Sequence, residues 1–166
     1  MRPLELARIN RRAPYVVWLD VDGYHFKTGF GLELSVSFDE QEITEHLLAY
    51  WLNLTNRSGK SSPNDPNVQR TIAIIVEEFF RVNPDILLYM CDTADEQQAA
   101  RSRLFLRWFS QSDISARFVI KSAMIRDEEQ DNYVALIVQQ NHPQVDTILR
   151  FFEEEVALFQ TNKPEG

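Results

Sequence analysis

Cys91, Asp92, Thr93, Ala94 and Asp95 stand where an apolar run, Ile86 to Cys91, gives way to a helical pattern. Ligand sites in open α/β sheets favour such strand-to-helix junctions, and a helix N-terminus can lower a thiol pKa. Asp92, Asp95, Gln98 and Arg101 can converge there, a set suited to an anionic or phosphorylated substrate. A cysteine phosphatase needs arginine six residues beyond its cysteine, and Gln97 is there instead. Cys91 therefore reads first as a small core residue, with Asp92 and Thr93 as helix caps. Arg103 and Arg107 share a helical face and repel at i,i+4. They form either an anion patch or a solvated face paired with Glu96 or Asp113.

Trp18-Leu19-Asp20-Val21-Asp22-Gly23 puts two carboxylates two residues apart at a strand end. This pattern is similar to the first motif of haloacid-dehalogenase-like phosphohydrolases, an apolar strand followed by Asp-x-Asp-Gly-Thr. The resemblance implies Asp20 as nucleophile and Asp22 as acid–base, with magnesium between them and a phosphate. The chain departs from that motif at Tyr24, where threonine belongs, and the following residues read as strands rather than a helix. A hairpin turn at Asp22-Gly23 accounts for the same residues with less.

Other chemistry drops out on spacing. Gly59-Lys60-Ser61 looks like the end of a phosphate-binding loop, but Leu54 occupies its first glycine position and Pro63 blocks a following helix. His25, His46 and His142 are scattered without i,i+4 pairing, so no histidine metal site is expected. No serine sits in a G-x-S-x-G elbow. No cofactor is expected, and a divalent metal only if the chain is an enzyme.

The rest of the chain must position these residues. Its 166 residues are 44% apolar, with 11 Phe, 5 Tyr and 3 Trp, which is enough for one core. One cysteine excludes an internal disulfide, and no apolar run approaches the roughly 20 residues that span a bilayer. A cytosolic address is the simplest expectation. The net charge of −8, from 25 acids against 17 bases, disfavours nucleic acid and anionic membranes as partners. Residues 1–14 differ, since Arg2, Arg8, Arg11 and Arg12 face only Glu5. They read as a basic arm able to touch a phosphate or an acidic partner, and otherwise as a solvated, frayed terminus.

Residues 15–160 read as a single α+β domain, with 161–166 as a tail. Tyr15 to Val21, Tyr24 to Thr28 and Leu32 to Phe38 form an antiparallel meander, the last strand alternating apolar and polar residues. Leu48 to Leu54 leans to a strand, and Asn56 to Asn64 is an exposed loop. Asp65-Pro66 caps a helix that Asn83-Pro84 ends, and Ile86 to Cys91 is a central strand covered on both faces. Thr93-x-x-Glu96 opens a second helix that carries Ala100, Leu104, Phe105 and Trp108 inward. A hairpin, Phe118 to Ile125 and Tyr133 to Val138, precedes a last helix opening at Pro143. The order β-β-β-(β)-α-β-α-β-β-α predicts a mixed, largely antiparallel sheet of six to seven strands with three main helices.

The middle of the chain resembles an uncharacterised bacterial domain family of unknown function. The matching residues begin at Phe26-x-Thr28, Gly31 and Val36-x-Phe38, and continue through Asp65-Pro66-x-Val68-x-x-Thr71-Ile72 and Phe79-Phe80. The most specific stretch runs Cys91-Asp92-Thr93-x-Asp95-x-x-Gln98-x-x-Arg101-x-x-Leu104-Phe105-x-x-Trp108-Phe109. The resemblance implies a small stand-alone bacterial domain and brings no activity with it. Without a complete catalytic set, the leading expectation is a non-enzymatic module working through protein contact or self-association, immunity- or antitoxin-like at its most specific. The alternative is a small enzyme acting on an anionic substrate at Asp92–Arg101.

Overall fold

Alternating apolar residues and well-placed prolines leave their mark on the computed structural model. It describes the backbone of residues 1–44, 46–59, 64–91, 96–126 and 131–161, without the side chains of 44, 91, 96–102, 125, 126, 131 and 159–161. The elements are α1 (Leu6–Arg12), β1 (Val17–Asp20), β2 (Gly23–Lys27), β3 (Glu33–Thr44), β4 (Leu47–Asn56), α2 (Pro66–Val82), β5 (Ile86–Cys91), α3 (Glu96–Gln111), a 3-10 turn (Asp113–Arg117), β6 (Phe118–Arg126), β7 (Asp131–Gln139) and α4 (Val145–Thr161). The seven strands form one sheet in the order β1-β2-β3-β4-β5-β7-β6. Neighbours are antiparallel except β4 and β5. A parallel pair requires a crossover, and α2 supplies it. The α+β reading, with a mixed and largely antiparallel sheet, holds; the fourth helix is the addition.

Asp65 caps α2 as its sequence promised, its carboxylate accepting the Asn67 N–H at 3.0 Å, with proline at the first helical position. Asn83 closes the helix by sending its side-chain N–H to the Phe79 carbonyl at 3.3 Å. β5 is buried on both faces from Ile86 to Tyr89, as a continuous apolar run should be, while Met90 at its end is 46% exposed. Leu87 and Tyr89 point into the larger core, built with α1, α2 and α3. Ile86 and Leu88 point into a smaller one closed by Ile148 and Phe152 of α4. Three helices therefore cover one face of the sheet and α4 covers part of the other. Among the described residues, no helix is long and apolar enough to cross a membrane.

Two local expectations are corrected. The hairpin connection is Val21-Asp22 rather than Asp22-Gly23, because Asp20 pairs directly with Gly23. No described residue other than glycine has positive φ, and in this hairpin Gly23 takes φ +135° at the start of β2. The frayed N-terminal arm is the second correction. Leu4 and Ile9 enter the core, and residues 6–12 form α1. Its docking is polar as well as apolar. Arg2 N–H donates to Asn83 at 2.7 Å, and Tyr24 Oη accepts the Leu4 N–H at 3.2 Å.

The strongest tie is Glu78 of α2, an almost fully buried carboxylate. It receives two N–H groups of Arg81, at 2.7 and 2.9 Å, and the Glu5 amide at 3.3 Å, with Arg8 at 3.6 Å. Burial pushes this carboxyl up, but the Arg81 hydrogen bonds, the Glu5 amide and the Arg81 and Arg8 charges together hold it below its usual range. A carboxyl depressed in the folded state adds stability above its unfolded pKa and loses it as pH falls through the folded value. Glu78→Gln should therefore cost about 1–2 kcal/mol at pH 7. The gap to wild type should begin to narrow below about pH 4.3 and go on narrowing as pH falls through the depressed folded value. Thermal unfolding of both proteins between pH 7 and 3 tests this, and a gap that does not narrow below about pH 4.3 refutes it.

Candidate functional site

The polar residues at the tip of the first hairpin form a linked set. Asp22 is held on one side by His25, with Nε2 2.6 Å from Oδ1, and on the other by an ion pair with Arg57 at the end of β4. Arg57 Nε in turn donates to Ser35 Oγ at 3.1 Å. The His25 hydrogen bond first, then the Arg57 charge, keep the Asp22 carboxyl below its usual range. Asp20, Asp22 and His25 bring ligand atoms within 4.8 Å of one another, the spacing of a cation site. The Arg57 guanidinium already supplies the positive charge that Asp22 needs, and Asp20 spends an oxygen on the Val21 N–H at 2.7 Å. The set reads as a lock on the turn. The strand that follows Gly23, in place of a helix, takes the backbone away from the phosphohydrolase pattern.

What that lock positions is Trp18. Its ring stacks on buried His25 with centroids 5.7 Å apart and planes 22° from parallel, yet it remains partly exposed. β1 is an edge strand, and the residues around it are unusually apolar for one. Leu19 is 54% exposed, Val16 75% and Phe30, in the β2–β3 turn, 59%, while Val21 at the tip is fully exposed. Asn10 of α1 covers one end of the edge: its amide accepts the Val17 N–H at 2.7 Å and donates to the Val17 carbonyl at 2.9 Å. Val17 therefore turns its backbone groups away from β2. By alternation, the next outward-facing N–H and C=O belong to Leu19. An apolar strip with one open main-chain register results.

The remaining candidates scatter. Asp92 and Asp95 lie outside the described residues; Gln98 and Arg101 lie in α3, but their side chains, like that of Cys91, also fall outside. Arg103 and Arg107 are exposed on α3, with Arg103 5.9 Å over the Tyr133 ring. Of the N-terminal arginines, Arg8 and Arg12 pair with Glu78 and Glu77 of α2, Arg12 at 2.6 Å. Sequence reasoning placed a strand at Trp18 and Leu19 but missed that it is an edge. The available signal was Val16-Val17-Trp18-Leu19, a run with no polar residue to face water on its open side.

The family model for DUF6169, a family of unknown function, matches residues 64–154, more than half of the chain. The chain belongs to DUF6169. No curated protein matches it. The matched segment begins at residue 64, later than Phe26, where the resemblance in the sequence begins. It takes in α2, β5, α3, the β6–β7 hairpin and the first part of α4. The exposed first hairpin and α1 lie before the DUF6169 segment, and the Asp92–Arg101 junction lies within it.

Proposed function

We propose that the chain is a non-enzymatic protein-binding or regulatory module of the bacterial cytoplasm, docking its partner along the β1 edge. The observation that carries this reading is the exposed strip Val16, Trp18, Leu19 and Val21 on a strand with an open main-chain register. Covering such a strip releases water from apolar surface, and the Leu19 backbone groups can fix the partner's register. Tryptophan anchors interfaces well, and one already held by His25 has little side-chain freedom left to lose. The net charge of −8 favours a basic partner by steering its approach, as an immunity- or antitoxin-like binder would need.

The test is association. Tagged protein from its native cells, run by size exclusion with light scattering, should carry a stoichiometric protein partner. The double variant Trp18→Ala/Leu19→Arg should keep its fold and weaken that complex by about 2 kcal/mol or more, some thirtyfold. A strictly monomeric wild type, or a variant that binds equally well, ends this reading.

One observation favours the enzyme alternative. β4 and β5 pair only from Ala49/Ile86 to Leu52/Tyr89, whereas β4 stays on β3 as far as Asn56 and β5 stays on β7 as far as Cys91. The connections leaving the carboxyl ends of this parallel pair, 57–65 and 92–95, carry Arg57, Gly59, Asp92 and Asp95. Ligands in open α/β sheets take this position. A thermal-shift screen of small anionic compounds and divalent metals, repeated on Asp92→Asn and Arg101→Gln, would separate this reading from the first.

A further inference from the structure

A cleft of about 610 Å³ lies between α1, the C-terminal half of α2, the 3-10 turn and the outer ends of β6 and β7. Its size is that of a small-molecule site. In a chain of net charge −8 its lining is strongly basic, with Arg8, Arg11, Arg12, Arg81 and Arg117 around two glutamates, Glu77 and Glu78. Those two carboxylates already hold four of the guanidiniums. Glu77 Oε1 takes Arg12 at 2.6 Å and Arg117 at 3.3 Å, while Glu78 takes Arg81 and Arg8. Arg11 makes no ion pair among the described residues. Five positive charges against two negative leave an excess of three, or two once Glu5, 3.5 Å from Arg81, is counted.

The donors are available as well as the charge. The Arg8, Arg12, Arg81 and Arg117 side chains are between 39% and 63% exposed, and each guanidinium carries five N–H donors of which the glutamates use a few. Planar guanidinium forks match the oxygens of a phosphate, and a phosphomonoester carries −1.5 to −2 near neutral pH, close to the local excess. Ile74, Phe80 and Phe118 give the cleft an apolar wall for a carbon skeleton.

We propose that this cleft binds a small phosphomonoester, with Arg11 and Arg117 contributing the donors and the apolar wall taking its carbon skeleton. Its lining residues belong neither to the β1 edge nor to the Asp92–Arg101 set, so the proposal does not depend on either reading. It spans the N-terminal helix and the DUF6169 segment, so binding would also clamp α1 in place.

Isothermal titration of the full chain with inorganic phosphate, ribose 5-phosphate and a phosphoserine peptide, at constant ionic strength, tests it. Ribose 5-phosphate should bind saturably and more tightly than inorganic phosphate. Arg11→Gln should weaken it about tenfold, since a charge-assisted contact is lost without breaking any ion pair that holds the fold. Arg103→Gln, outside the cleft, should bind as wild type does. Equal binding by Arg11→Gln and wild type overturns the proposal, as does loss in Arg101→Gln alone, which would move the site to the β5–α3 junction. Tighter binding of the phosphopeptide than of ribose 5-phosphate would overturn the small-molecule assignment.

Discussion

Phe79→Ala should destabilise the chain by about 3–5 kcal/mol, the range for deleting a fully buried phenylalanine. Phe79 has no exposed surface and sits at a crossing of rings. It stacks on Phe38 at 4.9 Å and meets Tyr50 and Phe80 edge-on at 5.6 and 5.2 Å. From Phe80 the contacts run on to Phe118, Phe109, Phe105 and Tyr89, and from Phe38 back to Tyr24. One aromatic chain thus joins β2, β3, α2, β6, α3 and β5. Alanine at its crossing leaves a cavity that helix and sheet can close only by moving together, against the packing of their other rings. The midpoint of urea unfolding should fall sharply, and a change under 1 kcal/mol would mean that the site collapses without cost. The same chain accounts for much of the aromatic content: most of these rings are spent on the core. Aromatic content by itself thus gives no support to partner binding, which rests on Trp18 and its aliphatic neighbours instead.

Local signals were legible where a residue acts on its own neighbours. Asp65-Pro66 and Asn83-Pro84 mark the ends of α2 because capping and the missing proline N–H are short-range effects. Ile86 to Cys91 reads as a doubly covered strand because neither face offers a polar residue. The strand order was not legible. That β7 rather than β6 lies against β5 depends on pairing between residues 42 to 50 positions apart. α1 was missed for the same reason. Its seven residues make a poor helix alone, and what holds them is distant: Glu78, Asn83 and the sheet above Ile9. Residues 1–14 looked like a free basic arm because the acidic partners of Arg8 and Arg12 sit 70 and 65 positions away on α2. The turn lock was half visible, since Asp22 and Gly23 announce a turn but nothing in the sequence points Arg57 at Asp22.

The second large effect should come from the smallest residue of that hairpin. Gly23→Ala is expected to cost about 2–3 kcal/mol, above the 1–2 usual for an L-residue forced to positive φ. Gly23 sits at φ +135°, and a Cβ there would stand 2.5 Å from the Val36 carbonyl oxygen and 3.1 Å from Ser37 Cβ. Both neighbours belong to β3, which is paired on its other side with β4 and cannot retreat alone. The hairpin would have to lift, pulling Asp22 from Arg57 and His25 from beneath Trp18. Gly31→Ala isolates the cause. Gly31 also has positive φ, +81°, but a Cβ there meets nothing within 4 Å, so only the dihedral cost of about 1–2 kcal/mol should remain. Thermal unfolding of the two variants, with amide exchange across residues 17–27, gives the comparison. A larger loss in Gly23→Ala, with exchange rising through β1 and β2, ties Trp18's position to that close approach. Equal losses would mean that φ alone sets the requirement, and the exposed strip would then tolerate a looser turn than this packing implies.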